Sequence, residues 1–176
     1  MEHIWKSFKE ILIEPYDFFS KKLYLRKAIE YVLVLYLIAF ILTTLYKIFT
    51  SAIPARQAVM TILLFLLGLI IVVLLILITS IVFHLILRLF KAENDYLSVT
   101  SIFGYCLTPL IIANLFFFLE YFYYLIPFFI AWNIILLIIG ISYYYNISRI
   151  KSFFIVILSY LIVLLMTGFI AGLVAK

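Results

Sequence analysis

The stretch AVMTILLFLLGLIIVVLLILITSIVFHLIL, residues 58–87, decides the fold. Thirty residues pass without one Asp, Glu, Lys or Arg, whereas a helix needs only about 20 apolar residues to cross a hydrocarbon layer of about 30 Å. At about 1.5 Å per residue the run is about 45 Å long as a helix, so it is expected to tilt, bend or protrude. Four more stretches reach spanning length on either side of it, at 28–46, 97–119, 125–145 and 152–175. The expected fold is all-α: a polytopic membrane protein with a five-transmembrane-helix bundle over 28–176, preceded by an interfacial amphipathic segment over 1–27.

Composition agrees. Of 176 residues 69% are hydrophobic and 12% charged, and mean hydropathy is +1.32, against about 45–50% apolar and about 25% charged in an ordinary soluble domain. A soluble fold of this size leaves roughly a third of the unfolded chain's surface in water and has no place for so much hydrocarbon. A soluble enzyme, a nucleic-acid-binding domain and a disordered tail are thereby excluded. The single cysteine, Cys106, forms no internal disulfide. Residues 1–27 are polar and the first apolar run is of full spanning length, so the N-terminus is expected to be retained.

Cations resist translocation and collect in cytoplasmic loops. Lys6, Lys9, Lys21, Lys22, Arg26, Lys27, Arg88, Lys91, Arg149 and Lys151 fall on one side of a five-span chain, and Lys47, Arg56 and Lys176 on the other. Ten against three places the N-terminus in the cytoplasm and the C-terminus outside. Aromatic residues 116–118 and 121–124 flank Glu120, and Tyr143, Tyr144 and Tyr145 close the fourth span; both groups suit the membrane interface.

Within residues 1–27, Ile4, Phe8 and Ile11, joined by Trp5 and Leu12, recur at helical spacing with lysines elsewhere around the axis. This predicts an amphipathic interfacial helix, ended near Glu14 because the residue before Pro15 disfavours helical backbone. Phe18 and Phe19 are expected to dip toward acyl chains. Trp5, Phe8, Pro15, Phe18 and Phe19 form the expected contact surface for membrane or partner.

Polar groups inside a membrane are costly and invite a functional reading. If the third and fourth spans form a hairpin about residue 123, Asn114 and Asn133 lie at one depth and Pro109 faces Ile138 or Gly140. The asparagines suit interhelical hydrogen bonding, a partner or substrate contact, or a conduction path. Pro109 kinks its span and deprives the Tyr105 carbonyl of its helical donor, a loss that Thr108 or Ser101 could make good. In the fifth span Gly168 and Gly172 have the spacing of close helix packing, within the monomer or in a homo-oligomer. Glu30, Glu120 and His84 sit at span ends within reach of water.

No catalytic residue, cofactor site or metal site is expected. The nucleophile–base pair on offer is Cys106 with His84, and a thiol in apolar surroundings is unreactive. Asp17 and Asp95 lie outside the spans, and no HExxH, GxSxG, P-loop or Cys/His cluster is present.

In their order these features resemble the Ypt-interacting protein (Yip) family of small five-span membrane proteins. The resemblance rests on Trp5, Ile11, Leu12, Pro15, Phe18 and Phe19, then on Tyr105 shortly before Pro109 in the third span, and on Trp132 in the fourth. It implies a five-helix bundle with a cytoplasmic N-terminus. Eukaryotic members are associated with vesicle traffic, membrane shaping and Rab-type GTPases. This chain departs from them in its leader of about 27 residues and in reading Lys91, Ala92, Glu93 and Asn94 where glycines often enter the third span. Those departures put GTPase binding in doubt and fit a prokaryotic or archaeal member.

The leading functional expectation is a non-enzymatic scaffold or membrane organiser, with the lipid bilayer and another membrane protein or a second copy as partners and no nucleic acid. Deleting residues 1–19 would then abolish recruitment and leave the bundle folded. The alternative is a small transporter or channel using a polar seam of Ser101, Thr108, Asn114 and Asn133.

Overall fold

The computed structural model describes residues 2–49, 58–92, 95–116 and 124–174. The helices are α1 Glu2–Ile13, α2 Pro15–Phe19, α3 Leu25–Phe49, α4 Ala58–Leu89, α5 Tyr96–Cys106, α6 Thr108–Leu115, α7 Ile126–Tyr144 and α8 Arg149–Val174. No strand occurs among the described residues. Five helical stretches are long and apolar enough to span a membrane, with α5 and α6 together making the third. Of the aromatic cluster around Glu120, residues 117–123 lie outside the described residues, while Phe116 and Tyr124 are exposed.

Proline sets two of the boundaries. Glu14, non-helical at φ −132° and ψ 57°, separates α1 from α2, which carries Pro15 in its first turn, where a missing N–H costs nothing. Pro109 likewise sits in the first turn of α6, and the third span is broken at Leu107. At the same end of the bundle α4 and α7 close alike. Lys91 and Asn146 take left-handed φ values of 58° and 50°, and the following N–H groups of Ala92 and Ile147 reach back to Leu87 and Ser142. Both are Schellman closures, which satisfy otherwise orphaned carbonyls.

The third span is the least apolar of the five and the most buried. That pairing has a physical cause, because a helix surrounded by helices need not dissolve in lipid. Every residue from Val99 to Cys106 is buried, with α3, α4 and α7 packed around α5. Gly104 brings α3 close: a methyl there would lie 3.6 Å from both Ala28 Cβ and Val32 Cγ2. Hydroxyls in the apolar helices bond to carbonyls one turn back, as Ser80 does to Ile76, Ser101 to Leu97 and Ser159 to Ile155, so they need no water.

The N-terminal segment is built into this core. Ile11 and Phe19 are fully buried and Phe18 is 5% exposed, so the two phenylalanines face protein, not acyl chains. Phe19 lies against Gly140 of α7, where a methyl would come within 2.8 Å of Ile102 Cγ2 and 3.2 Å of the Phe19 ring. Gly140 thus meets Ile102 and Phe19, in a register different from the expected pairing with Pro109. Gly140→Ala is expected to destabilise the protein by at least about 1 kcal/mol through overpacking, read as a lower unfolding midpoint in mixed detergent–SDS micelles. An unchanged midpoint would show that this contact has slack.

Candidate functional site

Breaking a span inside a membrane leaves carbonyls that must find donors within the protein. At the α5–α6 break two short relays supply them. Thr108 Oγ1 donates to the Tyr105 carbonyl at 2.6 Å, as expected from the proline. Its single hydrogen being committed there, it accepts from the Tyr31 hydroxyl of α3 at 2.8 Å. Asn133 Nδ2 of α7 donates to the Cys106 carbonyl at 2.5 Å, while Asn133 Oδ1 accepts from the Tyr160 hydroxyl of α8. Each relay starts at a tyrosine of a flanking span and ends on a carbonyl at the close of α5. Thr108 is fully buried and Asn133 is 1% exposed.

Tyr31 and Tyr160 were not singled out from the sequence. The available signal is that a phenol buried within a span needs a hydrogen-bond partner for its hydroxyl; Tyr160 stands well inside the fifth span, and Tyr31 about one turn into the first. Around the relays, Tyr105 packs between rings, 4.8 Å from Phe18 and 5.1 Å from Tyr31 between centroids. The core of the break is thereby joined to the docked N-terminal segment.

Asn114 does not share this cluster. It is exposed at the end of α6, and Asn133 pairs with the level of Cys106. The midpoints of the neighbouring pairs Cys106–Asn133 and Ile102–Gly140 fall near residues 120 and 121, displaced from the expected 123. A shift of two or three residues in the centre of a hairpin moves each partner by about twice that, which separates the two asparagines. Ser101, Thr108 and Asn133 are each bonded inside the bundle, so among the described residues they form no open seam with Asn114.

The remaining expected residues are dispersed. Trp5 is 69% exposed and stacks on half-buried Phe8. Pro15 begins α2, whose Tyr16 lies 5.1 Å from the Tyr143 ring and under the Arg149 guanidinium at 5.2 Å. Pro109 is buried beside the relays, and half-buried Trp132 meets the rings of Phe128 and Phe129. Gly168 has nothing within 4 Å of an added methyl, because that part of α8 stands clear of the other helices. It therefore mediates no packing within the described monomer. Gly172 lies on α8, with side-chain surroundings outside the description. Among the described residues no group of three or more His, Cys, Asp or Glu could hold a metal ion.

Five apolar spanning helices in one all-helical bundle are the fold the sequence resemblance implies, and the family model of the Yip1 domain matches residues 9–171. The chain belongs to the Yip1-domain family. No curated protein and no solved structure matches the chain. This Yip1-domain protein is an integral membrane protein with five apolar spanning helices. Its Lys91 holds a left-handed conformation that favours glycine.

Proposed function

We propose that this Yip1-domain protein acts without catalysis, as a scaffold that presents a fixed cytoplasmic edge to a partner membrane protein. The observation that carries the reading is the docking of α1 and α2. Buried Ile11, Phe18 and Phe19 hold the segment to the bundle, while Trp5 and Ile13 remain 69% and 64% exposed. Large apolar side chains kept rigidly outside a fold favour association, since little entropy remains to be lost on binding. Ten cations gather at the bundle end where α3, α5 and α8 begin, which supports a cytoplasmic N-terminus.

Because residues 1–19 contribute to the core, their deletion damages the bundle and does not isolate recruitment. The suitable variant is Trp5→Asp with Ile13→Asp. Cross-linking in native membranes is expected to lose the stoichiometric partner of the wild type while the unfolding midpoint stays the same. Retention of that partner by the double variant would count against the edge. Orientation is tested separately with Ser20→Cys, since Cys106 is fully buried. A membrane-impermeant maleimide should label this variant only after the cells are opened, and labelling of intact cells would reverse the assigned topology.

A further inference from the structure

On one flank of α1, Ile4, Trp5 and Phe8 join Val34 and Ile38 of α3 and Ile111 of α6 around an apolar groove of about 300 Å³. The other flank has a different character. Lys6 of α1, Lys21 and Lys22 after α2, and Lys27 of α3 surround a pocket of about 210 Å³, with Tyr105 in its wall and Glu10 as its one carboxylate. Glu10 is engaged with Lys21 at 3.0 Å. The ammonium groups of Lys22 and Lys27 both lie over the ring of Tyr24, 5.7 and 5.4 Å from its centroid. One exposed aromatic face offsets only about 0.5–1 kcal/mol for a cation, so two like charges gathered there leave a strong preference for an anion.

A second observation points into the same pocket. Tyr105 is only 3% exposed, and among the described residues its hydroxyl has no hydrogen-bond partner, unlike those of Tyr31 and Tyr160. A nearly buried phenol with an unpartnered O–H in the wall of this pocket is a donor without an acceptor, although the Glu30 carboxylate of α3 also acts on it.

The groove locates the pocket in the membrane. Along α3, Lys27 precedes Val34 and Ile38 by seven and eleven residues, about 10 and 16 Å of helix. The headgroup layer on each side of the hydrocarbon is about 5–8 Å thick. With Val34 and Ile38, the α3 wall of the groove, at the depth of acyl chains, the lysines stand at the level of lipid phosphates.

We infer that the pocket between α1, the 20–24 loop, the start of α3 and Tyr105 binds the phosphodiester headgroup of an anionic phospholipid. The lysines neutralise the phosphate and Tyr105 donates its free O–H to a phosphate oxygen. Basic pockets at the cytoplasmic ends of transmembrane helices favour such headgroups. The site is independent of partner recruitment, because its residues exclude Trp5 and Ile13.

The test uses the full chain in nanodiscs of equal phosphatidylglycerol and phosphatidylcholine, with the co-released lipids counted by native mass spectrometry. Wild type should retain phosphatidylglycerol about thirtyfold over phosphatidylcholine, as about 1 kcal/mol for each of Lys22 and Lys27 near the surface implies. Lys22→Gln with Lys27→Gln, both exposed and outside the Glu10 ion pair, should bring the ratio near unity with an unchanged unfolding midpoint. Tyr105→Phe, which keeps the ring packing, should lower it by a smaller factor. Arg88→Gln with Lys91→Gln removes the same charge elsewhere at the same bundle end and should leave the preference intact. An equal loss in that control, or a preference that survives the lysine or the tyrosine variant, would overturn the assignment. Displacement of the lipid by millimolar inorganic phosphate would overturn it in favour of a free-phosphate site.

Discussion

Phe19→Ala is expected to lower stability by about 3–5 kcal/mol, the usual cost of emptying a buried aromatic position. The ring is fully buried and occupies a notch that exists only because Gly140 has no side chain. Glycine on one helix and a ring from another give a space that other side chains cannot reach without moving backbone, so collapse around the cavity is restricted. The loss should also be local in its first stage. Phe19 is the last residue of α2, and behind it α1 is held by Ile4, Ser7 and Ile11. Its removal is expected to release residues 2–24 before the spans separate. Limited trypsin digestion should therefore cut at Lys21 or Lys22 under conditions where the wild type resists, with far-ultraviolet helicity nearly retained. Trp5→Ala, which removes an exposed ring of larger area, should change stability by less than about 0.5 kcal/mol. Equal effects of the two substitutions would show that the N-terminal segment rests on the bundle without being part of its core.

Phe18 and Phe19 show where reading the sequence stops. Their apolarity predicts a water-free destination, and a lipid tail and a protein interior satisfy that equally well. The same ambiguity hides the open face at Gly168, whose spacing announces a close contact without naming a partner. What was readable is governed by short-range rules. Span lengths follow from the bilayer, the α1–α2 boundary follows from Pro15, and the donation from Thr108 to the Tyr105 carbonyl follows from a proline one residue later. The relays themselves were not readable, because Tyr31 lies 77 residues from Thr108 and Tyr160 lies 27 from Asn133. Pairings at that separation depend on the register of whole spans, and a small displacement of one hairpin's centre was enough to exchange Asn114 for Cys106 as the neighbour of Asn133. The lysines of the basic pocket were readable as charge and as topology, yet their convergence required α1 to fold back across the start of α3.

Asn133→Leu should cost on the order of 2 kcal/mol, and Asn114→Leu close to nothing. The two asparagines are identical in chemistry and were expected at one depth, so the difference isolates environment. Leucine is close to asparagine in size, which leaves packing largely intact and makes the loss polar. Interhelical hydrogen bonds in membranes average about 0.6 kcal/mol and reach about 1.7, and Asn133 makes two of them. Its removal also orphans the Cys106 carbonyl and the Tyr160 hydroxyl, and a buried unpaired group costs about 1–3 kcal/mol. Tyr160→Phe in the Asn133→Leu background takes away one of those orphans. The double variant should accordingly be less destabilised than the two single losses added together, a coupling that unfolding midpoints in a four-variant cycle measure directly. Additivity would mean that the two side chains do not act through one another. The consequence reaches the surface, because the same break positions Tyr105 against Phe18. Loosening the relay at Asn133 is expected to weaken the seat of α2 and, with it, the basic pocket that Tyr105 helps to wall.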